Sequence, residues 1–130
     1  SETITRLKAM LDVLGTWVDE IPPVEQSLRY GNPAFRTLHA RLTAQAGALL
    51  ADVLPPHLHA ATTELATYLI DSFGNPTRID YGTGHETTFV AFLYCLSRLG
   101  LLTREDCGAV AGVVFAQYIQ LMRRIQTTYW

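Results

Sequence analysis

The sequence predicts an all-α protein of about five packed amphipathic helices. Three observations predict it. Apolar residues recur at three- and four-residue steps in successive segments. Proline, glycine and asparagine stand where one such pattern stops and the next begins. No segment of useful length alternates apolar and polar residues with period two, so no strand is predicted.

Ile4, Leu7, Leu11, Leu14, Val18 and Ile21 mark one face of a first helix, ended by Pro22-Pro23. Residues 23 to 31 are polar and read as a loop. A second helix has Asn32 as its N-cap and Pro33 at its first position. It carries Phe35, Leu38, Leu42, Leu49, Leu50 and Val53 and stops at Pro55-Pro56. Its Ala- and Gly-rich middle suits close approach of a neighbouring helix. A third helix is expected from about Leu58 to Phe73, striped by Leu65, Leu69 and Phe73. Gly74 ends it, with Pro76 just beyond.

The fourth helix begins near Gly84, buries Phe89, Phe92, Leu93, Leu96 and Leu99, and closes at Gly100. Thr103 caps a fifth, with Asp106 three residues later in a near capping box. Val110, Val113, Val114, Tyr118, Leu121, Met122 and Ile125 form the face of that helix. Short connections favour packing of sequential neighbours. The 130 residues make one domain by length. Thr127-Thr128-Tyr129-Trp130 carries no helix stop signal, so the chain is expected to be a fragment of a larger all-helical domain.

Composition narrows the class. A hydrophobic fraction of 48% and a charged fraction of 17% supply a core and argue against disorder. Mean hydropathy is +0.13. A formal net charge of -2 gives no global field toward nucleic acid or an acidic membrane, and neither partner is expected. Lys8 is the only lysine; the other basic residues are arginines, which suit bidentate contact with carboxylate or phosphate. Cys95 sits in an apolar helical context and reads as a buried, inert thiol. With Cys107 it makes no disulfide framework, so a reducing compartment fits. The apolar stretch Ala109 to Ala116 is too short to span a bilayer, and Glu2 and Arg6 interrupt any signal-peptide pattern. A soluble, intracellular protein is expected.

The run from Gly74 to Glu86 is the candidate site. It holds three glycines, a proline, Arg78, Asp80, Glu86 and His85 between two helical patterns, whereas a connector needs only turn residues. Two readings stand side by side. In the first, Thr83 and Glu86 form a capping box and Gly82 and Gly84 permit a tight turn. In the second, the helix N-terminus offers free N–H donors and a positive dipole end to a phosphate. Gly84 would then let the ligand approach, Thr83 would donate its hydroxyl, and Arg78 would bring a guanidinium to the same anion. Asp80 is the metal candidate, holding magnesium through water. The Gly82-x-Gly84 spacing falls short of a Walker or Rossmann pattern. His85 is read as a structural or solvated first-turn residue, with a general base as the less favoured role.

Other constellations read as structural. His57 and His59 do not share a helix face and suggest no metal site. His39 is expected to be partly buried within the second helix. Arg123-Arg124 reads as a solvated face, Tyr118 and Tyr129 as core or rim, and Trp17 as core edge.

Longer motifs carry a family resemblance. Tyr30-Gly31-Asn32-Pro33-Ala34-Phe35-Arg36, preceded by Asp19-Glu20-Ile21-Pro22-Pro23, resembles the phosphotyrosyl phosphatase activators, also called activators of serine/threonine protein phosphatase 2A. Ser72 to Glu86 looks like that family's central signature nearly residue for residue, and Met122 to Tyr129 is similar to the family's next helix. The resemblance spans essentially the whole chain. It implies an all-helical fold and ATP- and Mg2+-dependent activation of the protein phosphatase 2A catalytic subunit, with its scaffold subunit. It also implies peptidyl-prolyl cis-trans isomerase activity on proline-containing peptides, in the cytoplasm and also the nucleus. By resemblance, Arg78, Thr83 and Gly84 fall on ATP-contacting positions. Asp80, Tyr81, His85 and Glu86 belong to the same patch and are the catalytic candidates. Family members continue past the position of Trp130 into segments that carry further contacts, so exposed apolar faces and self-association are expected here. The alternative reading is a non-catalytic helical protein-interaction module.

Overall fold

The computed structural model describes residues 1–25, 31–76 and 83–130, and every regular element among them is helical. The order is α1 (Glu2–Glu20), α2 (Ala34–Val53), a 3-10 helix (Pro56–Ala61), α3 (Thr62–Asp71) and α4 (Thr83–Arg98). A 3-10 turn (Arg104–Asp106), α5 (Cys107–Ala109), a π segment (Val110–Phe115) and α6 (Ala116–Tyr129) then run on as one composite helix. α2 packs on both α1 and α3, α3 packs on α4, and α6 returns to α1. No helix among the described residues is long and apolar enough to cross a membrane.

The apolar stripes do most of this work, because burying a helix face is the main stabilising term available. Ile4, Leu7, Leu11, Leu14, Val18 and Ile21 are all buried, joined by Met10 and Trp17. Trp17 lies under the Arg41 guanidinium at 5.6 Å, while Arg41 Nη1 pairs with Glu20 Oε2 at 2.5 Å. Leu65, Leu69, Phe73, Phe89, Phe92, Leu93 and Leu96 are buried as the spacing predicts, with Leu49 and Leu99 half-buried at the margin.

Several termini obey their local chemistry. Gly74 (φ 103) and Gly100 (φ 81) adopt the left-handed conformation that ends helices and that other residues disfavour. Thr103 and Asp106 form the capping box; Asp106 Oδ2 accepts the Thr103 N–H at 2.8 Å. That donor holds the Asp106 carboxyl below the usual aspartate range. At the start of α2, Asn32 Oδ1 accepts the Ala34 N–H at 2.9 Å, so the asparagine caps the helix even though regular α geometry starts at Ala34.

Other expectations need correction. The third helix does not begin at Leu58: the chain winds a 3-10 helix first and α3 starts at Thr62. The Leu58 N–H donates to Pro55 O at 2.9 Å, and His59 Nε2 donates to Leu54 O at 3.0 Å. These short-range bonds tighten the turn after the prolines. The fifth helix is not a continuous α-helix either. Its π segment adds a residue per turn, rotating the rest of the helix by about 100°. Val114 is therefore buried while Val113 is 38% exposed, against the expected face. Gly47 faces open space, so in the small-residue middle of α2 only Ala46 is buried. Cys95 is half-buried rather than buried, and Cys107 is exposed. Arg123 and Arg124 are exposed, but Arg124 also pairs with Asp19 and donates to Gly15 O at 3.2 Å.

Candidate functional site

The site is built where α3 ends and α4 begins. A helix end leaves its last four carbonyls without intrahelical donors, and the structure supplies donors from several elements. The Ser72 hydroxyl donates to Tyr68 O at 2.7 Å. His85, in the first turn of α4, donates from Nδ1 to Asp71 O at 2.7 Å. Tyr118, from α6, donates its hydroxyl to Ser72 O at 2.6 Å, and the same oxygen lies 3.2 Å from His85 O. Arg36 of α2 donates from Nε to Pro76 O at 3.0 Å. The chain leaving α3 is thus pinned by α2, α4 and α6.

Of the structural and solvated roles expected of His85, the structure shows the structural one. It is 9% exposed and faces inward. The reason is its register: His85, Phe89, Phe92, Leu93 and Leu96 recur at helical steps, so His85 is the first rung of the buried stripe of α4. A carbonyl partner requires the proton on Nδ1, and that nitrogen is committed to structure.

Gly84 is the one candidate for contact with an anion whose surroundings the structure describes. It is exposed in the first turn of α4, and a Cβ built there would meet no heavy atom within 4 Å. Glu86 is half-buried in the same turn. Arg78, Asp80 and Tyr81 lie outside the described residues, as does the Thr83 side chain; the capping pair of Thr83 with Glu86 falls there too.

Sequence reading misses His39, Asp71 and Tyr118 as parts of this region. They are far apart in the chain, on three different helices, and no spacing pattern links them. Burial lowers the His39 pKa below 6.5; the Gly74 backbone and the Asp71 carboxylate pull the other way, and His85 adds to the lowering. The unfolded chain then binds the His39 proton more readily than the fold does. This contribution to stability is therefore complete above about pH 6.5 and is lost as pH falls. Urea midpoints measured at pH 7.5 and 5.5 should fall less in His39→Gln than in the wild type. An equal fall in both would remove His39 as the cause.

No group of His, Cys, Asp or Glu among the described residues is large enough to hold a metal ion directly. His59 is instead tied to Leu54 O.

The family model for the phosphotyrosyl phosphate activator (PTPA) protein matches residues 1–130. The chain belongs to the PTPA family. A serine/threonine-protein phosphatase 2A activator of Drosophila melanogaster is 40% identical over 99% of this chain. A serine/threonine-protein phosphatase 2A activator 1 of Mycosarcoma maydis is 50% identical over 97% of it. The crystal structure of a PP2A phosphatase activator superposes with a TM-score of 0.92 at 38% identity over 98% of this chain. The helical fold read from periodicity is therefore the fold of this PTPA structure. The chain spans 32% and 28% of those two relatives and 40% of the solved chain.

Proposed function

We propose that this chain forms part of an activator and assembly chaperone of the protein phosphatase 2A catalytic subunit. The observation that carries the reading is identity of 40% and 50%, over nearly the whole chain, to proteins named as activators of that phosphatase. Mg-ATP is the proposed cofactor. Arg78, Thr83 and Gly84 would hold the phosphates at the start of α4, and Asp80 would hold magnesium through water. The open side of Gly84 supports phosphate approach there. Bound nucleotide would add negative charge and phosphate oxygens at the contact with the phosphatase. Prolyl isomerisation is part of the same proposal: rotation about X–Pro needs a pocket that favours the twisted amide and no covalent nucleophile. Turnover of a proline peptide that fails to scale with pure protein would remove that part.

Thermal unfolding with and without Mg-ATP tests the nucleotide site. A ligand that binds only the folded state raises the midpoint, by about 2.7 kcal/mol of stability at a hundredfold excess over Kd. The wild type should show the rise. Arg78→Ala should lose it while keeping its unliganded midpoint, and should lose activation of the catalytic subunit in parallel. An unliganded Arg78→Ala that melts early would point to a structural arginine. A rise seen only in a chain with the full length of its relatives would mean that the site needs further residues. No rise in any form would leave the interaction module standing.

A further inference from the structure

Tyr118 occupies a position that the proposed function does not use. Its side chain is fully buried, at 0% exposure. Its one hydroxyl proton is shared between two carbonyls, Ser72 O at 2.6 Å and His85 O at 3.2 Å. Ser72 comes directly after α3, and His85 is in the first turn of α4. One phenol therefore spans the end of one helix and the start of the next. His85 crosses the same gap in the other direction, through its bond to Asp71 O at 2.7 Å.

The ring that carries this hydroxyl has little freedom. It stacks on Phe89 at 3.9 Å with the planes 1° apart, and Phe73 meets it edge-on at 5.4 Å. Phe73 belongs to the α3 side and Phe89 to α4, so the ring packs between the two elements its hydroxyl joins. The π segment ends at Phe115, just upstream of Tyr118. Its wider turn sets the rotation of α6, and hence where Tyr118 points. π turns inside helices are found frequently at functional sites.

We propose that Tyr118 is a positioning residue: its hydroxyl fixes the start of α4 against the end of α3. A helix N-terminus binds an anion only if its first-turn amides converge on one place, and a site tolerates about 0.5 Å of error in such geometry. Tyr118 touches no ligand in this scheme. It acts through the backbone of Ser72 and His85. That it serves nucleotide binding rests on the Mg-ATP reading above; that it couples the two helix ends does not.

The test uses Tyr118→Phe, which keeps the ring and its stack and removes only the hydroxyl. Tyr129→Phe is the matched control. It removes another buried phenol hydroxyl, which donates to Ile21 O at 2.7 Å on a different side of the core. Amide hydrogen exchange is measured residue by residue. In Tyr118→Phe, exchange at residues 73–75 and 85–88 should quicken by about tenfold or more, with α1 and α2 unchanged. Tyr129→Phe should leave 73–75 and 85–88 at the wild-type rate. Uniform quickening through all helices, or the same local effect in Tyr129→Phe, would overturn the assignment by making the hydroxyl a general stabiliser. No change at 73–75 and 85–88 would overturn it outright. The Mg-ATP arm is read separately. If the wild type responds to Mg-ATP, Tyr118→Phe should weaken its apparent affinity by about tenfold. A full response in the variant would remove the role in binding. A wild type with no response would defeat the nucleotide reading, while the exchange data would still decide the coupling.

Discussion

Phe89→Ala should destabilise the fold by about 3–5 kcal/mol, the range for removing a buried aromatic from a core. Phe89 is fully buried. It stacks on Tyr118 at 3.9 Å and meets Phe92 at 5.7 Å and Phe115 at 6.4 Å, so the truncation removes the centre of an aromatic group shared by α4, the π segment and α6. None of these rings can move into the gap without leaving its own contacts. A domain is stable by only about 5–15 kcal/mol, so the loss would take a large share of the total. The midpoint should fall by roughly 10 °C or more. Val90→Ala supplies the contrast. Val90 is the next residue and is 51% exposed, and its truncation should stay within about 0.5 kcal/mol. Equal effects at the two positions, read by urea unfolding, would mean that the stripe is misplaced by one residue.

The stripe containing Phe89 is legible in the sequence because burial repeats with the helix period, and a period survives in sequence. The same holds for Ile4 to Ile21 and for Leu65, Leu69 and Phe73. Caps are legible for a local reason. Gly74 and Gly100 take positive φ, which few residues tolerate, and Thr103 and Asp106 bond within one turn. The π segment leaves no comparable signal. Val110 to Phe115 is apolar throughout, and it packs on α1 as an ordinary apolar helix turn would. His85 stands four residues before Phe89, in register with the α4 stripe, so its burial is legible; a stripe counted from apolar residues alone starts one rung too late, at Phe89. The candidate site divides the same way. Gly84 is readable as a glycine at a helix start. The donors that hold the chain leaving α3, Tyr118 and Arg36, come from α6 and α2, and no spacing rule connects residues so far apart.

Asn32 shows how much a legible residue can hide. It reads as an N-cap, a role in which alanine costs about 0.5–2 kcal/mol. The structure gives it more to do. Oδ1 accepts from the Ala34 N–H at 2.9 Å and also from the Val24 N–H at 3.0 Å, while Nδ2 donates to Val24 O at 2.6 Å. The Asn32 N–H in turn donates to Tyr129 O at 2.6 Å, at the far end of α6. The residue is only 6% exposed, so water cannot readily replace what alanine would remove. Asn32→Ala should therefore cost about 2–4 kcal/mol, above the ordinary range for a cap. Asn32→Asp separates the two roles. It keeps both acceptor bonds and adds a charge that the α2 dipole favours, but it loses the donor to Val24 O. Its loss should fall between wild type and alanine. If Asn32→Ala costs no more than about 1 kcal/mol in urea, the bonds to Val24 contribute nothing net and the residue is a cap alone.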